Sequence, residues 1–321
     1  MQKVKLKKEF LERMQEISKS EEDFKEYLEI LEKEPVKSIR GNKLKISPEK
    51  LKKQLEKKYN WKISQPWNQN PEVMIIESEL QPGELGRTME HLLGYYYIQE
   101  LASMLPIIAL KPKKHERILD LCASPGSKTT QIASETENTG TIIANEPQLG
   151  RIKILASNLE RCGVTNTIIT RDDGVRLCEK FKKEGIYFDK ILVDAPCSGE
   201  GTLRSTPKSA IMWNPNTIKK LSKLQMKLIK NAFEILSEGG EIIYSTCTHA
   251  PEENEAICDF LLKEFEGQIK IEKSEIPIKC REGITCWKEE KYNEKVKNVC
   301  RVHPQDSNTE GFFISKFRRI K

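Results

Sequence analysis

From residue 116 onward the chain alternates short runs of branched and apolar residues with helical stretches. The runs are "RILDLCAS", "GTIIANE", "TNTIITRD", "DKILVDAP" and "GEIIYSTC". They do not alternate polar with apolar side chains, which marks strands covered on both faces. Strands of that kind, separated by crossover helices, build a parallel sheet. Two later runs, "QIKIEKSEI" and "GFFISKFRR", are placed to finish the sheet at its edge. The expected fold is therefore α/β, with a mostly parallel, seven-stranded, Rossmann-like sheet over residues 111–321. A small N-terminal domain of helical or α+β type is expected over residues 1–110. A chain of 321 residues with 37% hydrophobic content is long enough to bury two such cores.

In the N-terminal part, "VKSIRGNKLKI" reads as a short strand with a tight hairpin or turn at Gly41-Asn42. Ser47 and Pro48 then cap and start a helix. Residues 88–110, "TMEHLLGYYYIQELASMLPIIAL", carry apolar residues at helical spacing, and Tyr95, Tyr96 and Tyr97 within them read as core rather than as stacking platforms for bases. The net charge of +6 is concentrated: residues 33–62 hold eleven Lys or Arg against three Glu, leaving the remainder at about −2. That surplus suits either a solvated helix face or a footprint for a phosphate backbone.

Other classes fit poorly. Charged residues make up 32% of the chain, and no window approaches eighteen consecutive apolar residues, which argues against a membrane-spanning helix. The charged N-terminus lacks the apolar stretch of a secretory signal, so a cytoplasmic protein is expected. Nine scattered cysteines point to mostly free thiols rather than a disulfide framework. Cys280, Cys286, Cys300 and His303 lack the paired spacing of a zinc site, and no metal is expected.

In open α/β sheets ligands bind beyond the carboxyl ends of the strands. The first run leads into "CASPGSKTT", where Gly126 permits a tight turn into a helix. A phosphate-binding P-loop would need Gly at 121 and Lys at 127, where Leu121 and Ser127 stand, and the three-glycine dinucleotide fingerprint is missing. Glu146 ends the second run, suited to the two hydroxyls of a ribose, and Asp173 ends the third, suited to an adenine amine. Each alone would be a helix cap or turn residue. Together, beside a glycine turn, they favour an adenosyl cofactor, and S-adenosylmethionine is the natural one.

The fourth and fifth runs end in "DAPC" and "STC". A free Cys is most often a small inert core residue, but Cys197 and Cys247 both stand where a ligand pocket opens. A pyrimidine explains them. Carbon 5 of cytosine accepts a methyl group only after a thiolate adds to carbon 6, and a carboxylic acid beside ring nitrogen 3, here Asp194, drains the resulting charge. A second thiol then assists release. Glu253, Asn254 and Glu255 are expected to start the next helix in a supporting role.

The blocks "DLCASPGSKTT", "VDAPCSGEGTLR", "YSTCTHAPEENE" and "RVHPQDSNTEGFF" together resemble, in sequence and order, the motifs of the Sun family of RNA (cytosine-5) methyltransferases over residues 90–321. The resemblance implies a class I methyltransferase with Cys247 as covalent nucleophile and Cys197 assisting product release. It implies cofactor contacts at Cys122, Ala123, Ser124, Pro125, Gly126, Ser127 and Lys128, and at Glu146, Arg151, Asp173 and Asp194. Pro196 and Arg204 match pocket positions, and Arg204 is a further contact for the RNA backbone. Gln305 and Ser205 depart from the family pattern. The short form resembles archaeal enzymes acting on tRNA, expected to work as monomers. Ribosomal RNA is the nearest alternative, followed by a DNA methyltransferase, in which Cys197 would be the nucleophile, and by an inactive RNA-binding module.

Overall fold

Four of the five unalternating runs become largely buried parallel strands, the third forms a half-exposed edge strand in which Ile168 is 56% exposed, and a smaller antiparallel sheet precedes them. In this computed structural model, which describes residues 6–320, the smaller sheet comprises β1 (Ser38–Gly41), β2 (Ile63–Ser64), β3 (Val73–Ile76) and β4 (Tyr96–Ile98), ordered β2-β3-β1-β4. The larger begins with β5 (Arg117–Asp120), β6 (Thr141–Asn145), β7 (Thr167–Thr170), β8 (Phe188–Asp194) and β9 (Leu236–Thr246), all mutually parallel. Next come β10 (Ile269–Glu272), a separate ribbon of β11 (Cys286–Trp287) and β12 (Glu290–Lys291), β13 (Cys300–Val302) and β14 (Phe312–Arg319). The path β10-β14-β9-β8-β5-β6-β7 has the expected seven strands, with β10 and β14 antiparallel at one edge and β13 added alongside β14.

Successive residues of the central strands feed two different cores. Leu119, Ile191, Val193, Ile242 and Tyr244 pack into one, while Ile118, Ile142, Leu192 and Ile243 pack into the other, all at 1% exposure or less. Each such side chain contributes roughly 1.5–3 kcal/mol by leaving water, so neither face tolerates a polar alternation. The chain runs β5-β6-β7 toward one edge and then returns to build β8 and β9 on the other side of β5. The crevice between β5 and β8 is therefore the topological switch point.

Two N-terminal helices join the first of these cores. Helix Lys8–Ile17 buries Phe10, Arg13, Met14 and Ile17, at the i, i+3, i+4, i+7 spacing of one face. Phe10 meets Trp213 edge-on, and Arg13 makes a double hydrogen bond to Glu252. Helix Glu21–Leu31, capped by Ser20, carries Asp23, which both terminal nitrogens of Arg281 grip at 2.6 Å.

Residues 88–110 are not one helix. Gly94 takes a left-handed φ of 71° and lies so close to Arg161 that a Cβ would stand 1.9 Å from its carbonyl oxygen. The helix beginning at Met89 therefore stops at Leu92, β4 follows, and a new helix, Leu101–Leu110, starts behind the Glu100 cap. Tyr96 and Tyr97 are buried as core, and the guanidinium groups of Arg40 and Arg161 both lie over the Tyr97 ring. Nor do Gly41 and Asn42 turn a hairpin. β1 pairs with β3 and β4, and the turn after it leads to the helix Pro48–Tyr59, capped by Ser47 as its sequence requires.

Much of the basic segment is already engaged. Arg40 is buried and donates to Ser127 O and Thr130 Oγ1 across to the larger domain. Lys43, Lys52, Lys58 and Lys62 pair with Glu135, Glu56, Glu90 and Glu77. Lys50, Lys53 and Lys57 remain exposed on one face of the helix Pro48–Tyr59, with no ion pair among the described residues.

Candidate active site

The turn after β5 is fixed by its neighbours on both sides: Leu121 N–H donates to Leu192 O and Ala123 N–H to Asn145 O. Gly126 ends it at φ 103°, a conformation costly for any other residue, and opens the helix Ser127–Glu135. Ser124 and Arg151 exchange hydrogen bonds, and Arg151 extends to Glu146 at 3.2 Å. Glu146, buried at the end of β6, also takes the Gln148 N–H. Cys122 lies among Asp120, Asp194 and Glu146; burial and those three carboxylates push its thiol well up. Asp173 is exposed, with Oδ1 occupied in capping the helix Gly174–Lys183.

The single-residue readings missed Asp120. It is fully buried, accepts Thr129 Oγ1–H at 2.7 Å on one oxygen, and leaves the other without a partner; burial pushes its carboxyl up to about 7. Two buried acceptors at the ends of adjacent parallel strands, one of them orphaned, beside a glycine turn, are the donor-poor lining that a ribose and a cationic sulfonium ligand need. These residues fit the expected adenosyl group.

Cys197 and Cys247 meet because β8 and β9 are paired neighbours with Asp194 opposite Ser245. Their sulfurs are 3.1 Å apart, and the Cys247 N–H donates to Cys197 Sγ. The adjacent Cys247 sulfur, and then burial, push the Cys197 thiol well above its ordinary value. Asp194 accepts Lys128 Nζ on one oxygen and Ser245 Oγ–H on the other, both at 2.7 Å. Glu253 holds the Cys197 loop, taking Ser198 N–H and Gln225 Nε2, while Gln225 also reaches Pro196 O. Burial pushes the Glu253 carboxyl up to about 7.

A cavity of about 210 Å³ opens at this point, lined among others by Glu100, Lys128, Asp194, Cys247, Glu310 and Phe312. Cys247 is on its wall and Cys197 stands behind. A larger groove of about 690 Å³, with Gln69, Lys111 and Glu275 on its walls, shares no residue with it.

Other expectations are corrected. Arg204 is 2% exposed and spends its donors on the backbone oxygens of Lys33, Glu34 and Thr309 and on Asn308, so it is a brace, not an RNA contact. His303 is buried against His249, and Gln305 donates to Asp23. Cys280 and Cys300, two of the four residues weighed as zinc ligands, form a disulfide; the other seven cysteines are free. No helix of the described residues is long and apolar enough to cross a membrane.

A parallel sheet with a glycine turn at its switch point, carboxylates at the neighbouring strand ends and a separate N-terminal domain defines a class I S-adenosylmethionine-dependent methyltransferase. Comparison with known families narrows this. The model of the 16S rRNA methyltransferase RsmB/F family matches residues 107–318, and that of the N-terminal domain of 16S rRNA methyltransferase RsmF matches residues 6–101. The chain belongs to the RsmB/F, or Sun, family of RNA cytosine-5 methyltransferases.

Among its relatives, a tRNA (cytosine(49)-C(5))-methyltransferase of Pyrococcus abyssi is 40% identical, covering 98% of this chain and 97% of its own. Ribosomal RNA small subunit methyltransferase F of Pectobacterium carotovorum is 39% identical over 97% of this chain, which spans only 62% of that protein. The crystal structure of NSun6 from Pyrococcus horikoshii with SFG superposes with a TM-score of 0.83 at 26% identity, covering 98% of each chain.

Proposed function

We propose that this protein methylates carbon 5 of a cytosine in tRNA through a covalent adduct on Cys247. The observation that carries this reading is the arrangement of the sulfurs: Cys247 faces the cavity shared with Asp194 and Lys128, and Cys197 lies 3.1 Å behind it. A neutral Cys197 thiol donating to Cys247 leaves Cys247 as the sulfur free to attack carbon 6. Addition moves electron density onto carbon 5 and nitrogen 3, where the Asp194–Lys128 pair supplies a proton and holds it. S-adenosylmethionine supplies the electrophilic methyl group; the turn Cys122 to Lys128, Glu146, Arg151, Asp173 and Asp194 would hold it. A water molecule acting as general base then takes the carbon 5 proton, and the electron pair left behind re-forms the double bond and expels the Cys247 thiolate. The nitrogen 3 proton returns to the Asp194–Lys128 pair, and Cys197 offers the departing sulfur its hydrogen bond.

The target base must leave its stack to enter so small a cavity. The exposed Lys50, Lys53 and Lys57 of the N-terminal domain suit a phosphate backbone elsewhere on the RNA. The tRNA reading is supported by the archaeal relative, which matches this chain along nearly its full length. Ribosomal RNA is favoured instead by the bacterial relatives, and bisulfite sequencing of tRNA and rRNA from a deletion strain distinguishes the two. Cys247→Ala is expected to abolish methylation and adduct, and Cys197→Ala to accumulate a protein–RNA adduct stable on a denaturing gel. The reverse pattern would overturn the assignment.

A further inference from the structure

Building on the covalent cytosine-5 reading above, we propose that Glu310 accepts the 4-amino group of the target cytosine and is the residue that separates cytosine from uracil. The hydrogen-bonding groups of the cavity are otherwise accounted for. Lys128 is bound to Asp194 and Ser103, and Asp194 is bound to Lys128 and Ser245. Glu100 takes the backbone N–H of Glu310 on one oxygen and that of Ser103 on the other. Thr202 donates to Gly199 O, and Ser205 Oγ to Thr202 O. Glu310, 3% exposed, accepts Ser205 N–H at 2.8 Å on Oε1, but its Oε2 is buried without any partner. An orphaned carboxylate oxygen inside a protein is costly, and a folded chain keeps one where a ligand supplies the donor.

Cytosine and uracil differ at position 4, where one presents an amino donor and the other a carbonyl acceptor. A fixed acceptor in the lining of the cavity that Cys247 also lines favours the first and repels the second. Glu310 is firmly fixed, since its own N–H is held by Glu100, its carboxylate by Ser205, and the next residue by the Gly311 N–H to Gly201 O bond. Burial is the largest influence on its carboxyl and raises it above the ordinary value, while the hydrogen bonds from Ser205 and the charge of nearby Arg204 act in the opposite sense, toward the ionised, accepting form.

The test uses the full-length protein and RNA oligonucleotides carrying cytidine or uridine at the methylated position, once that position is mapped. Glu310→Gln keeps the Ser205 contact through its amide oxygen and turns an NH₂ donor toward the base. The preference for cytidine over uridine in kcat/KM should fall by roughly tenfold to a hundredfold, the range for mispairing a buried polar group. Glu310→Asp keeps an acceptor and should lose rate on cytidine while still rejecting uridine. An unchanged cytidine-to-uridine ratio in Glu310→Gln, or a relaxed ratio in Glu310→Asp, overturns the proposal. The parent reading is checked separately: wild-type protein that traps no adduct on 5-fluorocytidine RNA fails it before any variant is made.

Discussion

The active-site loops are held together by a backbone contact that only glycine permits, and Gly201→Ala tests it. A Cβ on Gly201 would lie 2.2 Å from the carbonyl oxygen of Gly311, 2.7 Å from its carbon and 2.9 Å from its Cα. All three are backbone atoms, so no side chain can swing aside, and the two segments must part by roughly 1 Å to reach ordinary contact. Two hydrogen bonds depend on the position of Gly201, and the second crosses the gap. Gly201 N–H donates to Cys247 O at 2.9 Å, and Gly311 N–H to Gly201 O at 2.8 Å. Overpacking of this kind costs about 1–3 kcal/mol, and weakening two backbone bonds adds about 1 kcal/mol each. The sum of roughly 3–5 kcal/mol corresponds to a fall of about 4–7 °C in Tm for a chain of this size.

Activity should suffer more, because Cys247 and Glu310 flank the strained contact. A displacement near 1 Å costs on the order of a hundredfold in rate. Tritiated-methyl incorporation into substrate RNA and thermal unfolding measure the two effects. Gly86→Ala, with nothing within 4 Å of the added Cβ, is the control. If Gly201→Ala keeps kcat/KM within about twofold and its Tm within about 1 °C of wild type, the contact is not as tight as described and the reasoning fails.

Three further outcomes follow from the same geometry. Cys280→Ser opens a disulfide of sequence separation 20, which should lower stability by about 3 kcal/mol, and wild type melted in dithiothreitol should match the variant; equal melting of oxidised wild type and variant would refute this. Glu253 holds its proton up to about 7 in the folded protein against an ordinary value of 4.5. Folded and unfolded states both bind that proton below pH 4.5, and the unfolded state releases it first on the way to pH 7. Wild type should therefore lose roughly 3 kcal/mol relative to Glu253→Gln across that window; urea unfolding at pH 4.5 and 7 that shows a constant difference would sink the prediction. Asp23→Ala leaves the buried Arg281 with Asp306 alone and should cost about 3 kcal/mol in urea unfolding, a loss below about 1 kcal/mol showing the grip to be dispensable.

The sheet was legible because burial on both faces imposes a composition, and five parallel strands answer to five unalternating runs. Cys197, Cys247 and Asp194 could be grouped because strand ends in such a sheet converge on one crevice. What failed depended on contacts between distant segments. The spacing in residues 88–110 is helical, but the approach of Gly94 to Arg161 decides otherwise. Arg204 looks like an RNA contact until the carbonyls of Lys33 and Glu34 are folded over it. Asp120, Glu100 and Glu310 are single carboxylates in unremarkable local settings, and only the burial of Asp120 and Glu310 and the place of Glu100 and Glu310 in the cavity lining distinguish them. The Cys280–Cys300 bridge is invisible for the same reason: β13 brings together thiols whose spacing matches no motif.

The grip of Arg281 on Asp23 spans 258 residues of chain. At a synthesis rate of about 5–20 residues per second, the first two helices emerge from the ribosome roughly ten seconds to a minute before their partner exists. Phe10 waits for Trp213, Tyr27 for His249 and Asp23 for Arg281, so these two helices reach their native contacts only after most of the chain that follows them has been made.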